Sequence, residues 1–308
     1  MESDTHMKRQ EFHINFARFI TPTAIISSLL VLASFVFMAT KGINYGVDFL
    51  GGVKLQYQFK TATNEDAIKD VVSPLIKHEV QVIRFGKEDE NRFMLQIPLK
   101  DGDDPRGYSA SITQALRQSF GNEAITLEQE ETVGPKAGKD LRNRGISAVL
   151  ISIILVVIYM AYRFDLFFAP GAVVALLHDV AIPMGVFALL GKEFNLPIVA
   201  ALLTIVGYSL NDTIIIFDRI RENEKQMDRK NFREIVYKSL NSTLSRTIVT
   251  SLTVFIVVLV LFLYGGGVIH DFSLAFLIGV VAGTYSSIFV ASPVYIALKE
   301  WKGFKGEK

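Results

Sequence analysis

Residues 194–217 read FNLPIVAALLTIVGYSLNDTIIIF, a run long enough to cross a bilayer that holds a single charge, Asp212. Hydrocarbon about 30 Å thick takes about 20 apolar residues to span. An aspartate inside it costs on the order of 2.5–3.5 kcal/mol unless it is paired, protonated or facing a wet cavity. Counting back from Asp218 and Arg219 at about 1.5 Å per residue, Asp212 sits about 9 Å inside the membrane edge, and its side chain is too short to snorkel to water. Tyr208 and Ser209 fall one turn earlier on the same face, with Asn211 alongside. This helix is therefore expected to turn a polar stripe toward its neighbours.

Outward from that stretch, residues 19–40, 145–162, 247–269 and 272–298 are apolar and free of charge, and 166–191 is interrupted only by His178 and Asp179. Six transmembrane helices are the natural reading. The first is too long for a signal-peptide core and has no convincing small-residue cleavage site before Lys41, so it reads as retained. The whole chain agrees: of 308 residues half are hydrophobic and a fifth charged, and the mean hydropathy is +0.33. That balance argues against an ordinary soluble enzyme. The formal net charge of +1 pulls toward neither nucleic acid nor acidic substrates. With no cysteine there is no disulfide framework, thiol nucleophile, Cys-ligated zinc or iron–sulfur cluster.

Orientation follows from Lys and Arg near the span ends. One side carries Lys8, Arg9, Arg18, Arg163, eight more between 218 and 246, and Lys299, Lys302, Lys305 and Lys308, whereas the short loops of the other hold only Lys192. The expected order is a cytoplasmic N-terminus (1–18), helix 1 (19–40), an extracytoplasmic domain (41–144), helices 2–6 (145–298) with a cytoplasmic loop at 218–246, and a cytoplasmic C-terminus (299–308). That loop reads as an extension of the fourth span followed by a short helix on the membrane surface, where the lipid would be a partner.

The outer segment has its own pattern. Gly51–Lys60 alternates as a half-buried strand, and Asn64–His78 puts Ile68, Val71, Val72, Leu75 and Ile76 on one helical face. Strands near 80–85 and 93–98, a helix near 105–120 and a strand near 124–128 complete βαββαβ, a small α+β ferredoxin-like domain. Gly134, Pro135 and Gly138 read as the hinge back into the membrane.

No nucleotide-binding loop, dinucleotide turn, zinc-protease helix or nucleophile elbow occurs. The five histidines are scattered without ligand spacing, so no enzyme activity, metal or cofactor is expected. Asp212 admits two readings: a carboxylate that locks helices together, or one that binds and releases H⁺. Arg246 opens the next span at about the same depth and could pair with it, or serve only as a positive-inside anchor. His178 and Asp179 read as a structural hydrogen-bonded pair or a proton relay. Gly279, Gly283 and Ser287 repeat every four positions as a helix-packing face.

Gly46-Val47-Asp48-Phe49-Leu50-Gly51-Gly52, Gly207 to Thr213 running on through Phe217 to Asn223, His178-Asp179 and Ser245-Arg246-Thr247 together resemble the SecF branch of the SecD/SecF family, in the RND superfamily. The likeness covers essentially the whole chain. It implies a bacterial inner-membrane protein that, with SecD as a separate polypeptide, uses proton motive force beside the SecYEG channel to help draw unfolded chains across. Protons would be the coupling ion. Asp212 resembles that family's proton-carrying aspartate and Arg246 its basic partner, while Gly46, Asp48, Gly51 and Gly52 resemble its signature at the base of the outer domain, either a hinge or a tight lead-in to the first strand. The competing function is a proton-coupled RND-type exporter of small hydrophobic molecules, for which about 100 outer residues leave little room for a drug pocket.

Overall fold

The structure is a computed structural model, described here for residues 13–76, 80–85, 90–99, 103, 105–164, 167–227 and 232–306. Lys8, Arg9, His6, His78, Arg229 and Lys230 lie outside those residues, as does most of the expected N-terminal segment. Six helices have the length and hydropathy to cross a membrane: α1 (Ala17–Lys41), α5 (Pro135–Arg163), α6 (Phe168–Leu190), α7 (Leu196–Gln226), α8 (Phe232–Tyr264) and α9 (Gly267–Ser286) with its continuation. A four-residue helix α2 (Val47–Leu50) follows α1. Helices α6, α7 and α9 form the interior, whereas α1, α5 and α8 turn rows of Leu, Ile and Val outward, as lipid-facing helices do.

Lipid tails are as apolar as leucine, so close backbone approach has to replace the hydrophobic effect in joining such helices. A Cβ on Gly279 would stand 2.2 Å from Ile205, one on Gly283 3.0 Å from Ser209, and one on Gly185 2.3 Å from Ser34. The Gly279 and Gly283 face is thus the seam between α9 and α7. Ser287 departs from it. It opens a π-helical turn, Ser287–Ala291, after which α10 runs from Ser292 to Gly306. The sequence reads as one helix to 298; Pro293 has no N–H to continue the ladder, so the turn widens, and the Ser292 hydroxyl donates to the Ser287 carbonyl at 3.1 Å.

Two further departures concern the two ends of the bundle. At the distal end, away from the small domain, no separate surface helix follows α7 among the described residues. Residues from Phe232 on are the start of α8, and Ile235, Val236 and Leu240 bury against Phe217, Ile220 and Tyr295, leaving no apolar face for lipid. At the proximal end α5 begins at Pro135, ten residues before its apolar run, so Gly134 is an N-cap and Gly138 lies within the helix. Gly138 is not a hinge: a Cβ there would meet the Gly51 nitrogen at 2.7 Å.

The small domain is a four-stranded antiparallel sheet, β2-β3-β1-β4, formed by β1 (Gly52–Phe59), β2 (Gln81–Phe85), β3 (Arg92–Pro98) and β4 (Ile125–Val133). Helices α3 (Glu65–Val72) and α4 (Pro105–Phe120) cover one face. Val53, Leu55, Tyr57 and Phe59 of β1 pack there with Ile68, Ile112 and Leu116. The period of 2 sends Lys54 to the opposite face, opposite Gln96 in register. Helix α3 stops at Val72 because Pro74 allows only a 3₁₀ turn beyond it. Strand β4 runs five residues past the expected end, where Gln129 to Val133 gain their bonds from β1. This domain rests on the proximal end of the bundle, where the Tyr45–Phe194 bridge ties the α1 exit to the α6–α7 turn.

Candidate functional site

Helix α7 starts beneath the β-domain with Asn195 as its N-cap, the side chain accepting from the Ile198 N–H, and runs through the bundle interior. Asp212 is 1% exposed. Its Oδ2 accepts a long 3.4 Å bond from Ser251 of α8, and its Oδ1 is buried with no partner among the described residues. Ser251 lies 2.7 Å from the Thr284 hydroxyl of α9. The Tyr208 hydroxyl, one turn earlier, is likewise buried, near Ser251 and Thr284 but with no well-formed bond among the described residues, its ring edge-on to Phe276.

Arg246 does not contact this carboxylate. Ser251 and not Arg246 is level with Asp212; α8 runs from the distal end, so Arg246 lies five residues, about 7.5 Å, nearer that end. Arg246 is exposed and lines a distal cleft of about 870 Å³ with Arg163, Asp218, Arg219, Ser245 and Thr250. Asn211 is exposed too, on the outward side of α7, and takes no part in the buried cluster.

Ser209 belongs to a different acid. Asp179 of α6 is fully buried and accepts three bonds, from the Ser209 hydroxyl at 2.5 Å, the Ser286 hydroxyl of α9 at 2.6 Å and His178 Nδ1 at 2.8 Å. His178 stacks against Tyr285, whose hydroxyl donates to the Thr23 carbonyl of α1 at 2.8 Å. His178 and Asp179 thus bond each other and tie four helices together; only His178 Nε2 is left buried without a partner among the described residues.

The glycine motif forms a joint. Gly46 donates to the Phe194 carbonyl at 3.0 Å. Gly51 has φ +83°, and a Cβ there would fall 2.5 Å from Pro135; only glycine suits both the conformation and the space. Gly52 is closed in by Ile97 and Val47. One Asp48 oxygen accepts the N–H of Leu196, the first residue of α7, at 3.1 Å, where the helix dipole favours a negative charge. The other lies 3.5 Å from Lys54 of β1. The motif therefore binds sheet, α5 and α7 at one point. Ser251 and Lys54 were not singled out in the sequence; a hydroxyl inside an apolar run was the available signal for the first.

A family model described as "Protein export membrane protein SecD/SecF, C-terminal" matches residues 112–301, and one described as "SecD/SecF GG Motif" matches residues 36–63. The chain is 41% identical over 286 residues to the protein translocase subunit SecF of Magnetococcus marinus, covering 93% of this chain and 92% of that one. It is 39% identical to the protein translocase subunit SecF of Vibrio alginolyticus over 94% of this chain and 91% of that one. Among solved structures, the crystal structure of SecDF from Thermus thermophilus, titled a translocon-associated membrane protein, superposes with a TM-score of 0.84 at 35% identity. That match covers 94% of this chain but only 39% of the SecDF chain.

Proposed function

Since the chain belongs to the SecD/SecF family of protein export membrane proteins and is a multi-pass membrane protein of protein translocation, we propose that it is one half of a proton-driven export motor. The other half is SecD, equivalent to the part of the SecDF chain that this one does not span. The pair sits in the bacterial inner membrane with both termini of this chain in the cytoplasm. It uses proton motive force to draw an unfolded polypeptide through the SecYEG channel, with Asp212 as the proton carrier.

One observation carries this reading: the surroundings of Asp212 complete neither of its forms. Ionised, it has no cation in contact; protonated, its new O–H has no ready acceptor on the Oδ1 side. Helix–helix glue is normally satisfied on all sides, and a carboxylate left half-served is suited to exchange. Arg246, one and a half turns away on a flexible stem, is the counter-charge that approaches when the proton leaves toward the distal cleft. Tyr208 marks the approach from the other side. Each proton descending the membrane potential releases about 2.3 kcal/mol per 100 mV, enough to bias a two-state packing change but not to move a long chain in one stroke. The packing change reaches the β-domain through α7, whose first residue is held by Asp48.

The test is Asp212→Asn in the complex with SecD, reconstituted with the channel in proteoliposomes. The proton-driven part of export is expected to disappear while ATP-driven insertion persists. Undiminished proton-dependent export refutes the reading, and proton-coupled efflux of a hydrophobic dye without any effect on export favours the small-molecule exporter instead.

A further inference from the structure

The cleft between the β-domain and the proximal end of the bundle, about 520 Å³, holds ionisable groups that the Asp212 site does not use. Three lysines line it, and two are already taken: Lys54 by Asp48 at 3.5 Å and Lys192 by Asp271 of α9 at 2.8 Å. Glu193, in the α6–α7 turn and only 9% exposed, is a third acid beside them. It is packed so closely that a Cβ on Gly46 would stand 3.1 Å from its Oε2. Its hydrogen-bonding neighbour is the Gln96 side chain of β3. Gln96 is itself buried, and its Oε1 has no donor among the described residues. The Gln96 bond serves the ionised carboxyl and so works against the effect of burial.

We propose that Glu193 is a second proton-exchange site, on the outer face of the molecule, which holds a proton while the β-domain is seated on the bundle and releases it to water as the domain lifts. The site stands on its own geometry; only its use in an export cycle rests on the proton-driven reading above. Seated, the neutral acid leaves the Lys54–Asp48 and Lys192–Asp271 pairs balanced. Ionised, it places a third negative charge beside two cations while itself only 9% exposed, and lifting the sheet admits water to it.

The direction follows from linkage. Burial pushes the Glu193 carboxyl above the ordinary carboxylate range, and Asp48 and Asp271 act the same way against the Gln96 bond and Lys54. The seated form therefore binds the proton more tightly than a water-exposed one. Its stabilising effect on seating is complete below the ordinary carboxylate pKa and is lost as pH rises through the raised, seated value. The other charged groups lining the cleft are Glu65, Asp66 and Lys69 of α3. Asp66 and Lys69 are exposed and Glu65 is half-buried beside Arg84.

The chain has no cysteine, so spin labels at Thr61→Cys on the β-domain and Tyr264→Cys on the bundle report seating cleanly. In the full chain with SecD in proteoliposomes, the label distance is expected to shift as pH rises above the ordinary carboxylate range. Glu193→Gln, neutral at every pH, is expected to stay at the acid distance throughout, and Glu193→Asp to restore the shift. A pH-dependent shift that survives in Glu193→Gln overturns the proposal, as does the absence of any shift in the parent protein. Should Glu193→Gln fail to assemble, the infrared C=O band of a protonated carboxyl decides: it must persist to higher pH in the parent than in Glu193→Ala. Repeating the measurement in Asp212→Asn separates the two readings, because the label shift is expected to persist there even though proton-driven export is lost.

Discussion

Two aspartates lie buried in the same bundle on neighbouring helices, and their surroundings differ in kind. Asp179 has both oxygens occupied by three donors from three residues on three helices. Asp212 has one long bond and a bare oxygen. Burial alone does not distinguish a structural carboxylate from a working one, since both are almost wholly inaccessible. The difference is in completion. A carboxylate whose acceptor sites are filled is fixed in one protonation state by its neighbours, whereas one with an empty oxygen has room for a second arrangement.

The strongest test of that contrast removes the charge from each acid in turn. Asp212→Asn is expected to abolish proton-driven export while leaving the unfolding midpoint in mild detergent nearly unchanged, because it gives up only one weak bond. Asp179→Ala is expected to do the reverse first: three buried donors lose their acceptor, a loss of about 3–5 kcal/mol, with export failing only because the bundle does. Asp179→Asn keeps one acceptor oxygen and should recover about half of that. Equal stability losses at the two positions would break the comparison.

A smaller effect sharpens it. Gly279→Ala drives a Cβ into Ile205 at the α7–α9 seam and is expected to cost about 1–3 kcal/mol by overpacking. Gly283→Ala meets Ser209 at 3.0 Å, where a shift of a few tenths of an ångström would strain the Ser209–Asp179 bond. Its cost should fall sharply in an Asp179→Ala background, because the bond it strains is already gone; Gly279→Ala should cost the same in both. Thermal unfolding of the three single and two double variants measures this.

How much of this the sequence disclosed follows from what each feature depends on. The spans were legible because hydrocarbon demands uninterrupted apolar runs, a property of the chain alone. The βαββαβ order was legible because periods of 2 and 3.6 are local, and helix α4 is found at 105–120 as expected. The extension of α7 to Gln226 was legible too, but the start of α8 at Phe232 was not, because charged residues continue a helix in water as readily as apolar ones do in lipid. Partnerships were the least legible. Ser209 and Asp212 share a helix face within one turn, yet α6 claims the first and α8 the second. Lys54 looks like a solvent-facing residue of an alternating strand until the sheet is set down on the bundle. Which groups meet is decided by helices far apart in the chain, and periodicity carries no record of that.

The smallest predicted effect is the most discriminating, because it concerns the only hydrogen bond Asp212 has among the described residues. Ser251→Ala removes a 3.4 Å donor and frees the Thr284 hydroxyl, which keeps its alternative acceptor in the Val280 carbonyl at 2.7 Å. No buried group is newly orphaned except the Asp212 Oδ2, so the change in stability should stay within about 0.5 kcal/mol. The effect belongs instead to the pH profile of export, since Ser251 is the one group that treats the two forms of Asp212 differently by direct contact. If Asp212 exchanges protons, the profile moves while the maximal rate holds. If Asp212 merely locks α7 to α8, losing its one bond to α8 should lower the unfolding midpoint and leave the profile where it was.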